Sequence, residues 1–115
     1  MEQGQIALPS GGWYTAVDVE TLTAKDRKKV LEAGSGLTAE KKMIALAESM
    51  MAILITSWSF EAPMPSLKLS SLDNLSPKDY TFLENAAGEI ETYLFPQITE
   101  TLESRTDPEV PIANS

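Results

Sequence analysis

The chain has 115 residues, no cysteine, no histidine and a formal net charge of −8. This length is sufficient for one hydrophobic core and too short for two, so we expect a single domain. The missing residue types exclude disulfides, thiolate catalysis, cysteine-based zinc sites and the commonest general base, which fits a reducing compartment.

The negative charge is concentrated in the C-terminal part of the chain. Residues 1–42 hold six basic and six acidic residues, whereas residues 43–115 hold three basic and eleven acidic ones. An acidic surface repels phosphate backbones, so we expect no nucleic-acid partner. The start of the chain lacks the pattern of a signal peptide. The longest unbroken apolar run of the whole chain extends from Met50 to Ile55. It falls far short of the about 20 residues that span a membrane.

The segment at residues 5–19, QIALPSGGWYTAVDV, predicts an N-terminal β-hairpin. Two short stretches of strand-forming residues flank Pro9-Ser10-Gly11-Gly12, and glycine accepts the positive φ angles of tight turns. A hairpin alone is only marginally stable in water. We therefore expect its aromatic side chains to pack on the helices or on another molecule.

Two helices are predicted next. Thr23 is an N-cap residue with Asp26 at the N3 position, and Gly34 follows the end of this first helix. A second helix should run from Ala39 to about Ser57, because apolar residues recur there at spacings of three and four. With Glu48 as its one acid after Met43, this helix is apolar on nearly all sides, which predicts the buried central element of the domain.

Pro63 and Pro65 prevent the helix from continuing, and an extended connection with a helical turn near Ser71 to Asn74 should follow. Ser76 and Pro77 then predict the start of a last helix that reaches Pro96. Gly88 within it suggests close packing against a neighbour. The expected fold is mainly α: a small domain of three to four helices with an N-terminal hairpin over residues 1–96, and an acidic, disordered tail over residues 97–115.

No constellation of residues predicts catalysis, a cofactor or a metal. The basic cluster at Lys25 to Lys29 lacks a glycine-rich loop, so it is interpreted as a solvated helix face. The carboxylates Glu84, Glu89 and Glu91 cannot form a di-iron motif of the Glu-x-x-His type, because no histidine is present. We therefore expect a protein that is not an enzyme.

The flexible and apolar side chains of the central helix and its connection are the candidates for binding a partner protein. Methionine adapts to differing partner surfaces, although filling the core is its default role. Trp58 and Phe60 would be anchors if exposed and would close the core if folded back. Oligomerisation of the chain is another way to cover leftover apolar surface. The candidate partner-binding residues are Met43, Met50, Met51, Leu54, Trp58, Phe60 and Met64.

Four short motifs, spread over roughly residues 5–95, occur together in this chain. They are Gly12-Trp13, the helix start Thr23 to Lys28, the Ser57-Trp58-Ser59 segment with Pro63 and Pro65, and Leu72-x-x-Leu75 with Pro77-x-Asp79-Tyr80. In this combination the chain resembles the tail assembly chaperones encoded in the tail-gene cassettes of long-tailed phages that infect actinobacteria.

The resemblance implies a non-enzymatic helper protein that binds the long tape measure protein, keeps it dissolved and helps to recruit tail tube subunits. It also implies action in the host cell cytoplasm and absence from the mature virion. An adaptable apolar groove and an acidic exterior suit this role.

Two other functions are compatible with the same residues. A structural virion component, such as a tail completion or connector protein, would keep its partners permanently. A small acidic inhibitor that mimics nucleic acid would arrange the eleven acids after Met43 as one continuous face. Mass spectrometry of purified virions tests the first alternative, because a chaperone leaves before maturation. Capture of a basic target protein tests the second.

Overall fold

A computed structural model describes residues 4–96 of the chain. The expected C-terminal tail at residues 97–115 lies outside this described part. The strands are β1 (Gln5–Ala7), β2 (Trp13–Ala16) and β3 (Ile55–Trp58). The α-helices are α1 (Ala24–Ala33), α2 (Ala39–Leu54), α3 (Pro77–Ala86) and α4 (Gly88–Leu94), and 3-10 turns occur at Val19–Thr21 and Leu69–Asn74. A mainly α domain with an N-terminal hairpin is therefore confirmed.

The hairpin forms as predicted, and its turn follows from local chemistry. β1 and β2 pair antiparallel. The amide of Gly11 donates to the carbonyl of Leu8 at 3.0 Å, and the amide of Leu8 donates to the carbonyl of Gly12 at 2.8 Å. Pro9 occupies the second position of this turn, which its fixed φ favours, and Gly11 has φ 102.

A third strand was not predicted from the sequence. The expected end of the central helix near Ser57 is wrong, because α2 ends at Leu54 and β3 begins at Ile55. β3 pairs antiparallel with β2, which makes β2 the central strand of the sheet, and the register shifts between Thr15 and Ala16. The added strand supplies the partner that a lone hairpin lacks.

The helix ends at Leu54 because a strand edge competes with further helical hydrogen bonds. The carbonyl of Leu54 accepts from the amide of Val17 at 2.8 Å, just beyond the end of β2. Ile55 and Thr56 are β-branched residues that favour strands. Within the bulge, the hydroxyl of Thr56 donates to the carbonyl of Thr15 at 3.0 Å.

The helix starts agree with the sequence analysis. Thr23 and Asp26 form a reciprocal capping box at α1, and the Ser76 hydroxyl accepts from the amide of Asp79 at the start of α3. The predicted last helix is divided at Ala87 into α3 and α4. Backbone bonds nevertheless continue across the division, since Ala87 donates to Leu83 at 2.9 Å and Glu91 donates to Ala87 at 3.1 Å.

The core lies between the sheet, the C-terminal half of α2, and α3 with α4. The prediction of a fully buried central helix holds only for that half of α2, because the N-terminal half reaches beyond the core and its Met43 is 72% exposed. The buried apolar residues are Leu8, Tyr14, Val30, Met50, Met51, Leu54, Ile55, Trp58, Leu72, Leu83, Ala87, Ile90, Leu94 and Phe95.

One polar contact joins α2 to α3 beside this core. The hydroxyl of Tyr80 donates to the Oε2 atom of Glu48 at 2.9 Å. Burial raises the pKa of Tyr80, and the hydrogen bond and negative charge of Glu48 raise this pKa further. Burial, followed by the charge of Glu89, also raises the pKa of Tyr14. Both phenols are therefore harder to ionise in the folded state.

This effect predicts a loss of stability in alkali. Above a pH of about 10 the unfolded chain releases its tyrosine protons while the folded chain keeps them, so the free energy of unfolding falls as pH rises. Tyr80→Phe should make this fall shallower, because one group with a raised pKa is removed. Urea titrations at pH 7 to 11, followed by circular dichroism, measure the slopes. Equal slopes for wild type and Tyr80→Phe would contradict the assignment, and Glu48→Gln separates the contribution of the charge from that of the hydrogen bond.

Candidate functional site

An open apolar groove runs between α1, α2 and the α3–α4 pair, and we call it the helical groove. Its volume is about 460 Å³. Its floor consists of buried side chains, among them Val30, Met50 and Phe95. Among residues 4–96, the lining consists of Val30, Leu31, Met43, Ile44, Leu46, Ala47, Met50, Glu84, Ala87, Gly88, Glu91 and Phe95.

The rim of the helical groove exposes large apolar side chains to water. Met43 is 72% exposed, Ile44 is 55% exposed and Leu31 is 50% exposed. Scattered apolar residues are ordinary on a protein surface, but a contiguous group around a groove is typical of an interaction site. The flexible thioether of Met43 can adapt to differing shapes of a bound side chain.

The turn between α1 and α2 is tight at one end of the groove. Gly34 brings the end of α1 close to α2, since a Cβ atom there would lie 2.8 Å from Cγ of Lys42 and 3.1 Å from Cδ2 of Leu46. Gly36, with φ 78, then reverses the chain. The two helices are therefore joined tightly at this end, while Leu31 and Met43 remain uncovered by any described element.

The wall of the groove formed by α3 and α4 lacks a side chain at Gly88. This glycine was expected to mark close packing against a neighbour, and that interpretation is wrong: beyond its own helix backbone and its two chain neighbours, no described atom lies within 4 Å of the position that its Cβ would take. Gly88 instead leaves space in the lining of the groove. Glu84 and Glu91 line the same wall and are exposed. At α1, the guanidinium of Arg27 lies 5.1 Å from the centre of the Phe95 ring, a cation–π contact.

A second depression lies on the opposite side of α2, between α1, the sheet and the connection after β3. Its volume is about 540 Å³, and it includes Met64, Ile53 and Leu69. Ser49 also lines it, with 9% of its surface exposed. Met64 is half-buried. Because it lines this depression and Met43 lines the helical groove, the two methionines belong to different surfaces.

The candidate partner-binding residues are distributed over three environments. Met43 and Met50 line the helical groove, and Met64 lines the second depression. Met51, Leu54 and Trp58 are buried in the core. The structure therefore does not bring the candidates together on one surface, and those in the core are covered by the chain's own residues.

Trp58 and Phe60 close the core instead of projecting from the connection. The indole Nε1 of Trp58 donates to the carbonyl of Ala62 at 3.0 Å, and only 8% of the side chain is exposed. The Phe60 ring meets the indole edge-on at 5.2 Å and is half-buried. Glu48, which was expected to be the lone acid of a buried helix, is hydrogen bonded to Tyr80.

Most residues of the helical groove were not among the sequence-based candidates, which included only Met43 and Met50 of its lining; Leu31, Ile44, Glu84 and Glu91 are the missed residues at its rim and on its acidic wall. Leu31 and Ile44 are adjacent in sequence to the apolar residues Val30 and Met43. Which residue of each adjacent pair faces the groove depends on how α1 packs against α2. The two acids had been considered only as ligands of a di-iron site. Their spacing of seven residues was the available signal, since it places both on one side of a helix.

Comparisons with protein family models, curated proteins and solved structures give no match. Within residues 4–96, no helix is long and apolar enough to cross a membrane. The same part of the chain holds no group of three acidic side chains arranged to bind a metal ion. The helical groove is therefore the site on which a functional proposal can be based.

Proposed function

We propose that this chain is a tail assembly chaperone of long-tailed actinobacteriophages, a non-enzymatic protein that binds the tape measure protein in the host cell cytoplasm. It assists the assembly of tail tube subunits and leaves before the virion matures. The observation that carries this proposal is the helical groove with its exposed Met43, Ile44 and Leu31. An amphipathic helix presents an apolar face of the kind that such a groove accepts.

The charge of the protein supports the same function. A tape measure protein is long, helical and apolar in places, so its unassembled form is prone to aggregate. The net charge of −8 keeps this chain dissolved and adds charge to any complex that it forms. The alternative of a nucleic-acid mimic requires the acids after Met43 to form one continuous face. Two of these acids do not contribute to such a face, because Asp79 is buried and Glu48 is bonded to Tyr80.

Co-expression with an actinobacteriophage tape measure protein tests the proposal. The wild-type chain should move the tape measure protein into the soluble fraction. The double variant Met43→Asp with Ile44→Asp should abolish this effect, because two charges on the rim oppose burial of an apolar helix. Both side chains are more than half exposed, so the variant should remain folded.

Leu67→Asp is the matched control. Leu67 is 82% exposed and does not belong to the lining of the helical groove. It should retain the solubilising effect. Persistence of the effect in the double variant would exclude the groove as the binding site, and loss of the effect in Leu67→Asp would contradict a binding site confined to the groove. Stoichiometric copies of the chain in purified virions would overturn the chaperone function in favour of a structural one.

A further inference from the structure

The two walls of the helical groove differ in charge. Glu84 and Glu91 line the wall formed by α3 and α4, and both are exposed. Neither carboxylate forms an ion pair within residues 4–96. Among the described residues, the facing wall contributes apolar side chains alone, with Leu31, Met43 and Ile44 at its rim. The groove therefore has an apolar floor, one apolar wall and one acidic wall.

The spacing of the two acids matches the repeat of an α-helix. Seven residues correspond to about two helical turns, or roughly 10 Å along the axis. Helical hydrogen bonding continues between them, from Leu83 through Ala87 to Glu91. Both carboxylates are thus on one side of the α3–α4 pair. In a second helix lying along the groove, side chains seven residues apart would be separated by the same distance.

We propose that the helical groove selects an amphipathic helix whose apolar stripe is flanked on one side by Lys or Arg residues seven positions apart. This inference rests on the proposed function and specifies which segments of a partner protein the groove binds. The apolar stripe lies against Met43, Met50 and Phe95, while the basic flank faces Glu84 and Glu91. Unpaired acids on a rim favour a partner of opposite charge and disfavour an acidic one.

Within residues 4–96, the basic side chains lie outside the lining of the helical groove. In this described part of the chain, the lining includes Glu84 and Glu91 but no Lys or Arg. Arg27 lies against the ring of Phe95, and Lys28 is exposed outside the lining. The acidic wall is therefore available to a basic partner, and its charge gives the groove a preferred orientation for a bound helix.

Two synthetic helical peptides of about 20 residues test the inference. Both carry the same Leu and Met stripe, and they differ only in having Lys or Glu at two flank positions seven residues apart. The wild-type protein should bind the Lys peptide about 3- to 10-fold more tightly, since two exposed ion pairs give an effect of this order. Raising the salt concentration should reduce the difference, because exposed charges are screened.

A charge reversal provides the matched variant. Glu84→Lys with Glu91→Lys should invert the preference, so that the Glu peptide binds more tightly. Glu89→Lys is the control: it makes the same charge change on α4 at a residue outside the lining of the groove, and the preference for the Lys peptide should persist. Isothermal titration calorimetry gives the dissociation constants.

The outcomes separate this inference from the proposed function. Equal binding of both peptides, together with solubilisation of the tape measure protein that depends on Met43 and Ile44, would overturn the charge selectivity alone. No binding of either peptide and no solubilisation would overturn both. A wild-type dimer in sedimentation analysis that dissociates in the charge-reversal variant would show that a second copy occupies the groove, and it would overturn the inference.

Discussion

Replacing Leu54 by aspartate is expected to unfold the protein. Leu54 is 2% exposed and is the last residue of α2, where helix, sheet and core meet. Removing a buried leucine side chain costs about 2–5 kcal/mol. An unpaired charge in the same position costs several kcal/mol more. Their sum is comparable to the total stability of a small domain, about 5–15 kcal/mol.

The backbone around Leu54 offers the new carboxylate no compensation. The amide of Val17, a neighbouring donor, is already bonded to the Leu54 carbonyl at 2.8 Å. The adjoining core residues Met51 and Ile55 are apolar and almost fully buried. A carboxylate at Leu54 must therefore be expelled to water, and expulsion would separate the end of α2 from the sheet.

Far-ultraviolet circular dichroism and tryptophan fluorescence measure this outcome. The Leu54→Asp variant should lose most of its helical signal at 25 °C, and the combined fluorescence of Trp13 and Trp58 should shift toward that of a solvated indole. Met43→Asp is the matched control, because it makes the same kind of change on the same helix at a side chain that is 72% exposed. The control should change the free energy of unfolding by less than about 0.5 kcal/mol. A cooperative transition of unchanged midpoint in Leu54→Asp would contradict the assigned core.

The parts of the fold that were predictable from the sequence depend on local interactions. The capping box of Thr23 and Asp26, the Ser76 and Pro77 start of α3, and the turn at Pro9 to Gly12 involve residues only a few positions apart. Their chemistry is complete within one segment. For that reason capping and turn patterns located these elements to within a residue or two.

The end of α2 could not be predicted in this way. Leu54 and Trp58 are four residues apart, so the apolar spacing of a helix continues through the segment that forms β3. Short apolar runs do not distinguish helix from strand by spacing alone. The decision comes from the free edge of β2, which lies about 40 residues earlier in the chain. Pairing with that edge converts Ile55–Trp58 to a strand and carries Trp58 into the core.

The sequence predicted that the central helix would leave apolar surface exposed, but not which part of the helix would be exposed. An apolar central helix with more surface than its neighbours cover was expected, and the exposed Met43 and Ile44 agree with that expectation. Which part of the helix stays open depends on how far α1, α3 and α4 reach along it. Because these lengths act through tertiary packing, residues such as Met51 could not be separated from Met43 by composition or spacing.

Asp79→Ala is expected to have the second largest effect, because this residue ties the hairpin to α3. Its side chain is 1% exposed. One carboxylate oxygen accepts from the amide of Ser10 at 3.0 Å, and the other accepts from the Ser10 hydroxyl. The two residues are 69 positions apart, and no local pattern predicts their contact. Hydrogen bonds to a charged group contribute about 1.5–3 kcal/mol each.

Urea unfolding at pH 7 measures the loss, which should be about 2–3 kcal/mol, since Ser10 is exposed and water can replace part of the interaction. Ser10→Ala should cost less, because the backbone bond to Asp79 remains. A double-mutant cycle of these two changes should show a coupling of about 1 kcal/mol or more. Asp73→Ala, an exposed aspartate in the preceding 3-10 turn, is the control and should change stability by less than about 0.5 kcal/mol. Additive effects of Ser10→Ala and Asp79→Ala would show that the hydrogen bond from the Ser10 hydroxyl does not couple the hairpin to α3.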